Sequence, residues 1–339
     1  MRIPDRDAFL RRLYLSCTAC SAICIPLALA GPGPSRLIPI AWGIGVLEYA
    51  VWARRAVRRR GAASAGLDTE TEEEMRGLCP MYASLPPDEA SLIRSLAAVF
   101  LAEHPVTGVS GVEITPWIRA AVASSAVMLV YGRRDWDYEG LGEVLVYPTS
   151  FADDGSFDLA PGGGRRSVLG MAHGLGTVIL SLPHLRSGPG TALAVHEFAH
   201  VLDGVRDADG VPAGLGREDR RRWRAVLSAA MVEGLPNGRR APGDPPLTPV
   251  EFLAKAAELF FGSPGILLEL RPALYEGMKD VFRLDPASFP KSPERGGEPP
   301  VRTGDMPPRP SFRRPRREAP SRAFRDRASR RYGPRGDRS

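Results

Sequence analysis

Residues 192–203 run Ala-Leu-Ala-Val-His-Glu-Phe-Ala-His-Val-Leu-Asp, and the five from His196 through Glu197, Phe198 and Ala199 to His200 decide how the chain is read. On a helix, positions i and i+4 share a face, so the imidazoles of His196 and His200 can reach one ion. Zinc accepts neutral imidazole nitrogen at about 2.0–2.1 Å, and catalytic sites keep a fourth position open for water. Glu197 sits one residue's rotation from His196, beside such an ion rather than on it. From there it can serve as general base toward a metal-activated water and hand the proton to a leaving amine. The other members of the stretch, Leu193, Ala194, Val195, Phe198, Ala199, Val201 and Leu202, are apolar. Burying two histidines and a glutamate among them is costly unless something pairs them.

Such a site needs a third protein ligand on a later element. Glu251 and Glu258 share the apolar helical stretch Pro249 to Gly262 (PVEFLAKAAELFFG), seven residues apart and nearly on one face. Spacing leaves both open as the ligand. Asp203, three residues after His200, can accept from the second nitrogen of a ligand imidazole. It can equally pair with Arg206 at the helix end.

Working toward the N-terminus, Thr177–Leu182 (TVILSL) and Val144–Tyr147 (VLVY) read as short buried strands, with the loop PGGGRR between them. That loop lacks the Lys-Ser/Thr ending and following helix of a phosphate-binding loop. Asp88–Glu103 and Pro116–Tyr131 have helical patterns, as do 190–203, 216–233, 248–262 and 264–281. Strands early and helices late suggest an α+β domain over 79–286. His104 and His184 have no partners in sequence and read as surface residues. Residues 61–78 are small, polar and acidic, the composition of a linker.

Residues 1–60 read as a membrane anchor. Leu13–Ala30 is an 18-residue run without charge, and Leu37–Ala53 is a second apolar run interrupted by Glu48. Arginines flank the pair at 6, 11 and 12 and again at 54, 55 and 58–60, so the positive-inside rule makes a transmembrane helical hairpin with both ends cytoplasmic. The rival is a signal peptide cut after Ala-Leu-Ala at 28–30, which exports the body. Cys17, Cys20 and Cys24 read as small apolar filler in a membrane helix, and Cys79 as a buried free thiol.

The chain has 339 residues, 43% of them hydrophobic and 25% charged, and only 4 cysteines. This excludes a disulfide scaffold, a coiled coil and a wholly disordered chain. The net charge of +6 hides a division: 291–339 carries +9, 1–60 carries +7, and the stretch between carries −10. The basic balance therefore does not describe a nucleic-acid-binding fold. Residues 287–339, rich in Arg, Pro, Ser and Gly, cannot bury enough surface to offset their ordering entropy and are expected to be a disordered tail. Such a tail can make loose contact with anionic lipid or nucleic acid.

Four blocks resemble the MtfA-type zinc-dependent peptidases, the glucose-regulated metallopeptidase family. They are MYASLPPDEASLIRSLAAVFLAE, GEVLVYPTSF, the run from GTVILS to HEFAHVLDG, and TPVEFLAKAAELFFGSP with LYEGMKDVFRLDP. The Glu-Phe block is also similar to the third-ligand helix of lethal-factor-type metalloproteases. The resemblance implies a zincin-like domain with one Zn2+ per chain, held by His196, His200 and Glu251, with Glu258 in support and Glu197 as general base. It implies peptidase activity, aminopeptidase activity included, on a peptide or protein substrate.

The sequence departs from the family at two places. Where relatives carry a Tyr seven residues before the ligand Glu, placed to stabilise an oxyanion, this chain has Asp244. Losing one such donor can cost roughly 2.7–4 kcal/mol of transition-state stabilisation. Tyr131, Tyr138 or Tyr275 are candidates to supply the hydroxyl from elsewhere. His173 replaces a Trp before the GTVILS strand and reads as a loop histidine. The alternative to an enzyme is therefore a zinc-binding domain without turnover, serving as a membrane-attached interaction module. Thr177–Leu182 is expected to bind an extended peptide by strand addition.

Overall fold

The stretch 116–130 has one charge, Arg119, and is apolar on every side. A helix of that kind belongs in the interior. In the computed structural model it is the helix around which the others pack, with Ile118 and every residue from Ala120 to Val130 buried. Thr115 caps it, its Oγ1 accepting from the Ile118 N–H at 3.3 Å, and Pro116 occupies the first turn. The structure describes residues 1–289 apart from 2, 139, 149–150, 153–166, 169, 174–175, 188–191, 205–207 and 237–246. The chain divides into Met1–Pro299 and Pro300–Ser339, and all described residues lie in the first unit. Asp244, Arg206, the loop PGGGRR and the tail from 290 onward fall outside the described residues.

In chain order the elements are α1 (Arg6–Leu29), α2 (Pro32–Ser35), α3 (Ile38–Ala65), α4 (Thr69–Leu78), α5 (Pro80–Ser84), α6 (Pro87–Glu103), β1 (Val106–Gly108) and α7 (Pro116–Val130). Then come β2 (Glu143–Tyr147), β3 (Phe151–Ala152), β4 (Ser167–Val168), β5 (Gly170–His173), β6 (Thr177–Ser181), α8 (Leu182–Ser187) and α9 (Ala192–Asp203). The last are α10 (Arg217–Glu233), α11 (Pro249–Gly262), α12 (Pro264–Leu270) and α13 (Pro272–Phe282), followed by a short 3-10 turn. The chain is mostly helical, with six helices ahead of the first strand. The structure keeps the described strands within 106–181 and sets α8–α13 after them, as the sequence pattern suggests, but helix far outweighs strand. It also divides the expected helix over 264–281 in two, because Pro272 lacks the N–H that would continue α12.

The stretch expected to be a linker is instead built into the core. Asp68 caps α4, its carboxylate accepting from the Thr71 N–H at 2.8 Å, and Thr71 and Met75 are buried where α4 packs on α7. The acidic residues that suggested a solvated connector are clustered near the helix N-terminus, where the macrodipole favours negative charge.

The main sheet has the order β1-β2-β6-β5, with β1, β2 and β6 parallel and β5 antiparallel on the edge. Val144, Val146, Val178 and Leu180 are all fully buried. Strand β6 pairs on both sides, Val178 lying opposite Val144 on β2 and Ala172 on β5. It therefore cannot accept an added strand, which corrects the expectation for Thr177–Leu182; among the described residues the outermost strand on that side is β5. Val178→Pro is expected to lose about 1–3 kcal/mol of stability, the cost of unpairing one buried backbone group, and more if the strand shifts. The measurement is a thermal melt of the full chain. A normal melt with selective loss of peptide binding would restore the strand-addition reading of β6.

Helices α1 and α3 pack antiparallel. Phe9 and Trp52 meet at 5.1 Å between ring centroids, Arg12 and Glu48 pair at 2.5 Å, and the Cys20 thiol lies 3.9 Å from the Ala41 carbonyl oxygen. Of the two expected membrane spans, one helix, Asp7–Leu29, is long and apolar enough to cross a membrane by length and composition. Helix α3 instead continues through its arginines to Ala65 and packs on α6. Its Arg59, 8% exposed, bonds Glu103 and Asp137 at 2.6 Å each, and Arg55 reaches the same two carboxylates at 2.9 and 3.3 Å. Burial alone would raise the Glu103 carboxyl, but the bonds from Arg59 and Arg55 outweigh it and hold the group down at about 2. A depressed acid stabilises above its unfolded value and loses that contribution as pH falls through the folded one. Glu103→Gln is expected to cost about 2 kcal/mol at neutral pH. That gap to wild type should close between the ordinary 4.5 and about 2, measured by denaturant melts across that range.

Candidate metal centre

Helix α9 carries His196, Glu197 and His200, and its packing against α11 is the most extensive between any two elements. Ala194, Val195, Phe198, Ala199 and Leu202 are buried and fix the helix, leaving the two histidines half-buried and facing α11. Helix α11 starts at Thr248-Pro249-Val250-Glu251, a capping sequence in which the Thr248 hydroxyl accepts from the Glu251 N–H at 3.3 Å. That cap sets Glu251 in the first turn, where the dipole favours its charge. Its carboxylate faces the two imidazoles.

Three donor atoms converge. The Nε2 atoms of His196 and His200 are 3.1 Å apart, and Glu251 oxygens lie 3.6 Å from the first and 3.4 Å from the second. Ligands held at about 2.0–2.1 Å around a tetrahedral ion stand roughly 3.3 Å from one another. The Nε2–Nε2 distance and the two distances to Glu251, Oε2 from His196 and Oε1 from His200, bracket that value. Among the described residues this is the one group of His, Cys, Asp or Glu that could hold a metal, all its atoms lying within 4.8 Å of one another. Cys20, Cys24 and Cys79 are buried free thiols, and burial pushes the Cys79 thiol up to about 12.

The far side of His196 is bonded to Glu258, whose Oε1 meets Nδ1. That bond places the proton on Nδ1 and leaves the Nε2 lone pair free toward His200 and Glu251. Burial would lower His196, yet the Glu258 bond, with the charges of Glu197, Glu258 and Glu251, raises it. Burial and the neighbouring His196 together take His200 down to about 4, so its ring is neutral and can donate a lone pair. With Glu258 holding the Nδ1 proton, His196 can exchange any proton on Nε2 for a bound ion, and two imidazole nitrogens with a carboxylate then fit zinc. Glu197 is 3% exposed, and burial, reinforced by Glu251 and Glu258, raises it to about 7 against the pull of His196. A carboxyl poised near neutrality suits proton transfer in both directions.

Among the described residues Asp203 has no bond to a ligand imidazole, and its other expected partner, Arg206, lies outside them. The buried Asp203 oxygens accept from the backbone N–H groups of Gly210 and Val211 at 2.9 and 2.8 Å. Gly210, at φ +76°, lies so close to α11 that a Cβ there would stand 2.5 Å from the Pro249 carbonyl oxygen. Asp203 and Gly210 thus join the end of the histidine helix to the start of the glutamate helix, a role that spacing alone did not disclose.

His104, expected at the surface, is 3% exposed. It ends α6 against the rings of Phe100 and Tyr138, at 4.9 and 6.3 Å, and both rings stand 5.4 Å from Phe198 of α9. The i, i+4 relation of Phe100 to His104 was the signal available in sequence. The backbone of His173 is in β5, opposite Thr177, rather than in a loop. The three tyrosines considered as oxyanion donors are engaged elsewhere. Tyr131 donates to Glu89 at 2.5 Å, Tyr138 to the Ala126 carbonyl at 2.7 Å, and Tyr275 to Asp285.

The family model described as "Glucose-regulated metallo-peptidase M90" matches residues 52–283, which include both helices of the centre. The chain belongs to the M90 metallopeptidase family. The M90 match begins within α3 and ends just past α13, so α1 and the first part of α3 lie outside it. Among curated relatives, Mlc titration factor A of Klebsiella pneumoniae (strain 342) is 30% identical over 224 residues, covering 61% of this chain and 83% of that protein. Its namesake in Escherichia fergusonii is 29% identical over the same shares, and that of Yersinia pestis (strain Pestoides F) is 28% identical over 227 residues.

Proposed function

We propose that this M90 member is a zinc peptidase in which His196, His200 and Glu251 hold one ion and Glu197 is the general base. The observation that carries this is the convergence of two Nε2 atoms and a carboxylate at 3.1, 3.4 and 3.6 Å, beside a buried carboxyl. When bound, zinc supplies Lewis acidity toward the scissile carbonyl and lowers the pKa of water toward 7. The chain's own residues do the rest. Glu258 fixes the His196 tautomer, and the Glu197 carboxylate takes the proton from attacking water. It then returns that proton to the amine as the C–N bond breaks. The outer edge of β5, unpaired among the described residues and on a strand packed against α9, is where an extended substrate can pair its backbone.

Chelation is the test. The full chain should hydrolyse peptide or aminoacyl reporters, stop when zinc is removed, and resume when zinc is returned. A second reading, a zinc-holding interaction module without turnover, draws on the engaged hydroxyls of Tyr131, Tyr138 and Tyr275 and on Asp244 in the family's Tyr position. The relatives' name, Mlc titration factor, describes binding rather than cleavage, and points the same way. Retained zinc with no hydrolysis of any reporter would favour it.

The N-terminal helical pair attaches the body to a membrane in this reading, with the body on the cytoplasmic side by the positive-inside rule. The Arg12–Glu48 pair offsets the one acidic charge in the second apolar run. A reporter fused after Arg60 distinguishes this from export after cleavage near Ala30.

A further inference from the structure

Helix α3 presents one stripe in which Ile40, Ile44, Leu47 and Val51 are followed at the same spacing by Arg54 and Arg58. Steps of four and three residues keep all six on one face. The four apolar members are 59–64% exposed. Arg54 and Arg58 are also exposed, and among the described residues neither has a hydrogen bond or ion pair. Their sequence neighbours behave differently. Arg55 and Arg59, about 100° round the helix, are bound to Glu103 and Asp137 of the body. On another face, Arg60 lies 5.7 Å over the Phe9 ring of α1, and Trp52 packs on the same ring.

We propose that Arg54 and Arg58 bind the phosphates of anionic phospholipids, and that the paired Arg55 and Arg59 hold the metallopeptidase body against that same headgroup layer. This deepens the membrane reading given above and rests on it. The heights agree. With Val51 at the hydrocarbon edge, Arg54 stands about 4.5 Å and Arg58 about 10 Å beyond it along the helix axis. The polar layer of each leaflet is roughly 5–8 Å thick, within reach of two long side chains. Because α3 does not break between Val51 and Ala65, the turn that meets the headgroups is also the turn that grips Glu103 and Asp137. The body is then held at the bilayer surface rather than hung from a flexible connector.

The experiment reconstitutes the full chain in bilayers of equal phosphatidylcholine and phosphatidylglycerol, extracts it, and measures retained lipid by native mass spectrometry. Wild type should favour phosphatidylglycerol by about 30-fold, from roughly 1 kcal/mol per arginine at a charged surface. Arg54→Gln with Arg58→Gln should lose that preference, and Arg54→Lys with Arg58→Lys should keep it. Truncation after Pro290 should keep it too. A preference that survives the glutamine pair, or disappears with the tail, overturns the proposal while leaving the membrane reading intact. A full chain that stays soluble without detergent and floats neither with vesicles of that mixture nor with phosphatidylcholine vesicles overturns both.

Discussion

Glu197→Gln is expected to keep zinc in the protein and to lower peptide hydrolysis by about 10²–10⁴-fold, the range a positioned general base contributes. The substitution preserves shape and removes the proton acceptor. It does not disturb the proposed metal donors, the Nε2 atoms of His196 and His200 and the Glu251 carboxylate. Stability should hold or rise, because the side chain is 3% exposed and burial is what lifts its carboxyl to about 7. A neutral amide is cheaper to bury than a carboxylate. Metal analysis, reporter turnover and a thermal melt on one preparation separate the outcomes. Turnover at the wild-type rate would remove Glu197 from the chemistry. Loss of zinc along with turnover would mean that Glu197 helps hold the ion.

The centre was legible in the sequence because its grammar is local. His196 and His200 lie one turn apart, and Glu197 follows from the same periodicity. Choosing Glu251 over Glu258 was not legible from spacing, since residues seven apart share a face. Only the crossing of α11 over α9 places one carboxylate beside both Nε2 atoms and the other behind His196. Asp203 shows the same limit: its partners are backbone groups seven and eight residues on, and a turn of that kind has no side-chain pattern. The acidic stretch at 69–74 was misleading for a different reason. Composition there suits a solvated linker, but Met75 and Leu78, four and seven residues after Thr71, give α4 the buried face that decides the matter. The strand-addition expectation for Thr177–Leu182 failed for want of β5. Gly170–His173 has too little apolar character to be read as a strand, yet its pairing turns β6 from an edge into an interior strand. His104 and the Arg59–Glu103–Asp137 group belong to long-range packing, where charges and rings more than 30 residues apart meet.

The two glutamates of α11 should separate cleanly in metal affinity. Glu251→Ala removes one of three converging donors, leaving two imidazoles that cannot fill a tetrahedral site. Zinc is expected to be lost on dialysis and reporter hydrolysis to vanish with it. Glu258→Gln removes no donor. It replaces a charged acceptor on His196 Nδ1 with an amide, so the ring keeps its place but loses basicity at Nε2. Zinc affinity should fall by about 10–100-fold, the cost typical of a lost partner behind a ligand imidazole, and excess zinc should restore activity. Competition against a chromophoric chelator measures both variants on one scale. Should Glu258→Gln lose the metal beyond rescue while Glu251→Ala keeps it, the roles are reversed and Glu258 is the ligand. Should both keep wild-type affinity, the ion is held elsewhere, and the facing Nε2 atoms at 3.1 Å require another explanation.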